Sequence, residues 1–372
     1  MKSDEKELVY ALALNAVGGV GGITYRKLIE RFGTPEGVFR AGRKNLEGIP
    51  RLPRATIDAI ISADPEESGK KEFEAIRRRN FGVLLFGRED YPALLARIHD
   101  PPPVLYIAGE IETSDELAVS IVGSRDPTEY GRRAAIRLAG DLAHAGVTVV
   151  SGMARGIDSS AHRGAIEAGG RSIAVLGSGL DVIYPRENRS LFEDLVGHGA
   201  VISPFPLGTR PEKGNFPARN RVISGLSLGV VVVQATTPDS GSLITARLAL
   251  EQGREVFAVP GEVGAKVSKG TNTLIKRGHA KLVENFADIL EEILPQFDTG
   301  GVKGQKPAPP APKLEGEEKS LWEKLGETPI HIDNVARECN LPIHRVAAAL
   351  LQLELKGLIE QRPGKMFVKA IR

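Results

Sequence analysis

The stretch VVSGMARGIDSSAHRGAI, residues 149–166, opens as a run of β-branched residues and closes as a helix. Between the two stand Gly152, Arg155, Gly156 and Asp158, with serines behind them and His162 one helical turn beyond the aspartate. A buried strand that passes into a helix through a short polar glycine turn is the repeating unit of an α/β sheet. In such sheets ligands bind beyond the carboxyl ends of the strands. The residues of this turn suit an active site, and equally a phosphate cradle that performs no reaction.

The same pattern recurs outward on both sides. LAVSIVG (117–123), VTVVSG (147–152), SIAVLGSG (172–179), AVISPF (200–205), LGVVVVQA (228–235) and EVFAVPG (255–261) are near-continuous apolar runs. Such runs are the mark of strands buried on both faces of a parallel sheet. Helical patterns lie between them: in EYGRRAAIRLAGDLAHAG (129–146), Ala135, Leu138, Ala139 and Leu142 share one face. Residues 81–294 are therefore expected to form an extended Rossmann-like, doubly wound parallel sheet.

The flanks differ in texture. Residues 1–80 are helical, with glycine- or proline-bearing turns in NAVGGVGGITYRKLIERFG and LEGIPRLPRATIDAI. Tandem helix–turn–helix units of this kind suggest a SAM-like or helix-hairpin-helix domain. Its turns either aim backbone N–H groups at a phosphate or only join packed helices. The opening MKSDEKELVYALALNAV is charged first and only briefly apolar, with Leu8, Ala11, Leu12 and Ala16 on one helix face, so it reads as a folded helix rather than a signal peptide. Residues 295–316, rich in Gly, Pro and Lys, read as a flexible linker. Residues 317–372 read as a winged helix: helices at KSLWEKL, IHIDNVARECN and PIHRVAAALLQLELKG, then a two-stranded hairpin at LIEQRPGKMFVKA. Its third helix offers few side chains for reading DNA, namely His344, Arg345, Gln352 and Lys356, and the segment is near charge balance. That favours a weak or protein-binding role over strong duplex recognition. Cys339 is expected in the small core.

Composition sets outer bounds. The chain has 372 residues, 41% hydrophobic and 26% charged, with a net charge of +2. That is ordinary for a globular protein of two or three domains, and any polyanion site must come from local clusters. With one cysteine no intramolecular disulfide forms. No run approaches the roughly 18 apolar residues of a membrane span, so a cytoplasmic location is expected.

Four polar segments should converge at the strand ends. The first carries Gly123, Ser124 and Arg125, where Arg125 is not needed for the helix cap at Thr128. The second is the opening stretch. The third, RPEKGNFPARNRVISG (210–225), gathers Arg210, Lys213, Arg219 and Arg221 around Phe216, with Asn215, Phe216 and Pro217 read as an exposed loop. The fourth opens a helix with Ser240, Gly241 and Ser242. Cations interleaved with an aromatic suit single-stranded nucleic acid, where phosphates are neutralised and a base stacks. The competing reading is a surface loop with chance arginines.

Catalysis can also be drawn. Asp158 and His162 lie four residues apart on one helix, with Ser151, Ser159 or Ser160 nearby. The nucleophile-elbow pattern Gly-x-Ser-x-Gly is absent, and lone serines with a helical Asp–His pair are more often orienting groups. Seven scattered histidines and one cysteine offer poor metal-ligand spacing. Gly177-x-Gly179 lacks the third glycine of a dinucleotide fingerprint, and no P-loop is present. No cofactor or metal is expected.

In order along the chain, VGSRDPTEYG, SGMARGIDSSAH, IAVLGSGLDVIYPRENRSL, FPLGTRPEKGNFPARNRVISGLS, SGSLITARLALEQGREVFAVPG and KGTNTLIKRGHAKLV resemble the DNA-processing protein DprA (Smf) family. The likeness covers about residues 82–290. It implies a non-catalytic mediator that binds and protects incoming single-stranded DNA and helps load the RecA recombinase during natural transformation. It also implies a homodimer, with the partner surface sought between residues 273 and 294, and single-strand-binding protein as a further partner. The family's binding arginine, lysine and phenylalanine fall on Arg125, Lys213 and Phe216, with Arg155, Arg219 and Arg221 in neighbouring motif positions. In this reading the glycines let the backbone approach a phosphate, and Asp158 and His162 orient the loop. Pro204 and Gln234 stand where family members often carry acids. Two alternatives stay open: a nucleotide-processing enzyme of the lysine-decarboxylase-like Rossmann type, and a transcription regulator acting through the winged helix.

Overall fold

The computed structural model describes residues 3–236, 240–296, 320–322, 324–325, 330–339, 341–355, 358–362 and 364–369. The chain divides into two compact units, residues 1–302 and 303–372.

The first unit is built on a nine-stranded sheet in the order β1-β2-β6-β5-β4-β3-β7-β8-β9. The strands are β1 (Gly82–Leu85), β2 (Val104–Gly109), β3 (Ala118–Val122), β4 (Thr148–Ser151), β5 (Ser172–Val175), β6 (Gly199–Ser203), β7 (Gly229–Val232), β8 (Glu255–Ala258) and β9 (Lys281–Leu282). β3 to β9 are mutually parallel; β1 and β2 run antiparallel and extend the β6 edge. The apolar runs thus mark six of the seven parallel strands, β3 to β8, while the short β9 and the antiparallel pair are additions to them. Successive residues alternate between two apolar layers: Val150, Val175 and Val232 face one, Val149, Ile121 and Val231 the other. The helix Glu129–His144 buries Ala135, Leu138, Ala139 and Leu142, the face read from sequence.

From β3 the chain moves outward through β4 and β5 to β6, then returns to the far side of β3 at β7. The direction of winding therefore reverses between β3 and β7. At such a switch point the loops leave in opposite directions and open a crevice at the carboxyl edge.

Among the described residues the N-terminal region holds six helices, of which Ser3–Ala16 packs mainly on Pro65–Arg78 and Pro35–Arg40 rather than on the next helix, Gly22–Phe32. They share a core with the sheet. In helix Ser3–Ala16 every residue from Val9 to Leu14 is buried, not one face alone. Ala11 and Leu12 pack with Tyr106 and Val201 of the sheet, while Leu14 packs with Leu28 and Ile57 of the helices. A helix held between two layers is apolar around its circumference.

In the second unit, helices Ile332–Cys339 and Ile343–Leu355 pack on a three-stranded sheet. Its strands are β10 (Ile330–His331), β11 (Ile359–Arg362) and β12 (Met366–Lys369), in the order β10-β12-β11. The hairpin β11–β12 follows the sequence reading. Ile330 and His331, read there as helical, instead pair with β12 because the free edge of the hairpin accepts a short strand. Cys339 is partly buried against this core. Residues 295 and 296 lie in a short 3-10 turn, Leu294–Gln296. The rest of the expected linker, residues 317–319, Lys356 and the side chain of His344 lie outside the described residues.

Among the described residues no helix is long and apolar enough to cross a membrane.

Candidate functional site

Helices Ile157–Glu167, Asn215–Gly225 and Gly241–Glu251 follow β4, β6 and β7, so all three begin at the carboxyl edge of the sheet. Their first N–H groups and positive dipole ends favour an anion there. A cavity of about 390 Å³ opens at the switch point, lined by Gly123, Ser124, Arg125, Asp158, Phe216, Arg219, Asn220, Ser240 and Ser242. A second cavity of about 130 Å³ shares Arg125, Phe216 and Arg219 with it, and adds Arg155, Gly177 and Tyr184. Ala154 also lines both.

The floor of the crevice is buried and bonded mostly within the protein, although the buried Nε of Arg219 has no hydrogen-bond partner. Arg219 is 4% exposed. Its Nη1 donates to the carbonyls of Gly152 and Val175, both at 2.6 Å. Burial pulls its pKa down to about 10, which leaves it charged at neutral pH. Asp158, also buried, accepts from the Ala154 N–H at 3.4 Å. Burial pushes its pKa up, against the opposing pull of the Arg219 charge. His162 is fully buried, with Nε2 accepting from the Met153 N–H at 3.3 Å and Nδ1 2.8 Å from Ser172 Oγ. Ser172 Oγ donates to the Val149 carbonyl, so the proton of the neutral ring sits on Nδ1. Burial, aided by the Arg219 charge, pulls the His162 pKa down to about 3.

No Ser–His–Asp relay forms among these groups. Ser151 Oγ donates to the Ile121 carbonyl and Ser159 Oγ to the Ala154 carbonyl, both at 2.6 Å, and both ring nitrogens of His162 are engaged elsewhere. Among the described residues no cluster of His, Cys, Asp and Glu could hold a metal.

The rim is exposed. Arg125 stands beyond β3 with its guanidinium 5.2 Å from the centre of the Phe216 ring. Tyr184 is 45% exposed, its ring centre 6.3 Å from that of Phe216. Lys213 is exposed on the turn that precedes the Phe216 helix, outside both cavity linings. Among the described residues neither Arg125 nor Lys213 has an ion-pair partner. Arg155 is exposed and pairs with Glu187. Ser240 stands at the N-cap position of the third helix without a side-chain cap bond, its Oγ 3.3 Å from that of buried Ser242.

Several sequence expectations change. Asn215, Phe216 and Pro217 form the first turn of the helix rather than a loop before it, a position that proline tolerates. Arg221 turns away from both cavities, because Asp100 pairs with its guanidinium. Arg219 lines the crevice but is held inside it. Three of the glycines make room for protein atoms. A Cβ on Gly152 would lie 1.9 Å from Arg219 Nη1; Gly156, at φ +79, lets its loop close on the Ser124 and Arg125 carbonyls. Gly123 likewise leaves space for Ile157. Gln234 lies under the start of helix Glu129–His144, where it bonds both the N–H and the hydroxyl of Thr128. The sequence reading passes over Tyr184, although YPRENR interleaves an aromatic with arginines just as the Phe216 segment does.

A family model described as DNA recombination-mediator protein A matches residues 82–294, more than half of the chain. The chain belongs to the DprA (Smf) family. The DprA winged helix domain model matches residues 305–365. Protein Smf of Synechocystis sp. is 35% identical over 97% of this chain and 98% of its own length. DprA of Bacillus subtilis is 44% identical over 59% of this chain and 73% of its own length. Among solved structures, DprA of Streptococcus pneumoniae aligns with a TM-score of 0.66 at 34% identity, covering 79% of this chain and 99% of that one. DprA of Helicobacter pylori aligns with a TM-score of 0.52 at 33% identity, over 58% of this chain and 96% of that one; that structure is described as giving insight into the protein's single-stranded DNA binding mode. The site described above lies wholly within the matched DprA region.

Proposed function

We propose that the crevice holds single-stranded DNA and performs no chemistry on it. One observation carries the reading: an unpaired, exposed Arg125 is poised over the ring of Phe216 at the carboxyl edge of the switch point. The cation would neutralise a phosphate, the rings of Phe216 and Tyr184 would take up bases, and Lys213 would extend the positive track. The family membership and the Helicobacter pylori relative support the same ligand. The engaged nitrogens of His162 and the internally bonded serines support a binding role over a hydrolytic one. The wider role follows by family resemblance: a recombination mediator that protects incoming strands and helps load RecA during natural transformation, acting as a cytoplasmic homodimer and meeting single-strand-binding protein.

Fluorescence anisotropy of a labelled dT oligomer across a salt series tests this. Arg125→Ala/Lys213→Ala should weaken binding to every sequence alike. It should also flatten the salt dependence by about 0.7 in log K per log salt for each phosphate that is no longer neutralised. Unchanged binding in the double variant would move the site elsewhere. Release of free base from a panel of nucleoside monophosphates would instead favour an enzyme.

A further inference from the structure

Segment 204–214 carries Arg210 and Lys213 and leads into the Phe216 helix, yet it has no regular structure of its own. Its base is clamped. The Leu207 N–H donates to Glu72 Oε1 at 2.8 Å and the next N–H, of Gly208, donates to Asp181 Oδ1 at 2.7 Å. Gly179 donates its N–H to the Thr209 carbonyl at 3.0 Å. Two successive amides thus rest on two carboxylates from distant parts of the sequence. Asp181 in turn lies 3.7 Å from the guanidinium of Arg79.

Glu72 belongs to the N-terminal helical region, on helix Pro65–Arg78. That helix is locked in place: a Cβ on Gly69 would meet the Val9 carbonyl at 2.2 Å, so it lies directly against helix Ser3–Ala16. Helix Ser3–Ala16 is itself buried between the helical core and the sheet. The carboxylate is therefore presented from a rigid base to an irregular segment whose other anchors are the Gly179–Thr209 bond, the Asn215 side-chain amide on the Arg210 carbonyl, and Leu207 packed on the sheet core. An exposed cation on a loose segment pays ordering entropy when it meets a phosphate; clamping the base lowers that cost.

We infer that Glu72, together with Asp181, positions the basic segment 204–214, so that the helical region contributes to strand affinity through this loop. The inference rests on the crevice being a single-strand site. What the position needs is an acceptor rather than a negative charge. Burial raises the Glu72 pKa, and an amide oxygen would accept the Leu207 N–H as well as a carboxylate does.

The test uses the full chain, with amide exchange at residues 207–209 and binding of a labelled dT oligomer. Glu72→Leu should speed exchange at Leu207 and weaken binding by about fivefold, the worth of one hydrogen bond. Glu72→Gln should restore both. In a Lys213→Ala background, Glu72→Leu should cost less than about twofold, because residues acting through one loop are not additive. Equal losses in both backgrounds, or unchanged exchange at Leu207, would overturn the inference. Should Glu72→Leu fail to fold, Asp181→Ala makes the same comparison at Gly208. If the unaltered chain does not bind the oligomer, the proposed function falls, and the exchange rates alone decide whether the clamp exists.

Discussion

Arg219 and Arg125 reach the same phenylalanine, at 5.9 and 5.2 Å from its ring centre, in opposite surroundings. Arg219 is buried, bonded to two carbonyls and set beside Asp158. Arg125 is exposed, with the ring as its neighbour. The floor of the crevice is a structural layer and the rim is the surface left for a ligand. Charge type does not separate the two roles; desolvation does. A buried guanidinium must have its partners within the protein, whereas an exposed one keeps its donors for whatever arrives.

If the division holds, floor changes should move stability and rim changes should move binding. The largest effect is expected for Arg219→Leu, which strips two carbonyls of their donor and leaves the Asp158 carboxyl without its neighbouring charge. A loss of about 3–5 kcal/mol in urea unfolding is expected. A near-neutral result would place Arg219 with the rim.

His162 predicts the acid limb. Its folded pKa, about 3, lies below the unfolded value near 6.5, so the unfolded state binds more protons between the two. Its stabilisation is complete above pH 6.5 and declines as pH falls toward 3. About 2–3 kcal/mol should be gone by pH 4.5. His162→Gln, which can still accept from Met153 and donate to Ser172, should flatten that limb in unfolding measured across pH.

On the rim the signs reverse. Tyr184→Ala should cost about 1–3 kcal/mol of strand affinity, as for other stacked bases, and leave the urea midpoint almost unmoved. Arg125→Ala/Lys213→Ala should likewise stay within about 0.5 kcal/mol of the parent stability. The smallest effect on binding belongs to Arg221→Ala. Asp100 holds that side chain, so anisotropy should read parent affinity while unfolding shows a loss of about 1 kcal/mol. An affinity loss equal to that of Arg125→Ala would return Arg221 to the binding surface.

The carboxyl-edge site is legible in sequence because the β-branched runs read as buried strands, and polar segments follow several of them. Arg125 and Phe216 can be chosen from local pattern, since neither depends on a distant partner to reach the crevice. Arg219 and Arg221 cannot be told apart from it. They lie two residues apart on one helix and so point in different directions, one into the floor and one toward Asp100. The glycines do mark close approaches, but the sequence carries no sign of what approaches them.

By itself the sequence determined the α/β repeat, the gathering of its polar segments at the carboxyl edge, and the cationic and aromatic residues among them. Tertiary structure alone decided that β7 returns beside β3 to open the crevice, that Glu72 reaches segment 204–214 from more than a hundred residues away, and which arginines remain exposed. The reason is that periodicity reports only which face of an element is buried. Which polar group meets which is set by long-range packing, where carbonyls and carboxylates remote in sequence engage some cations and leave others to the solvent.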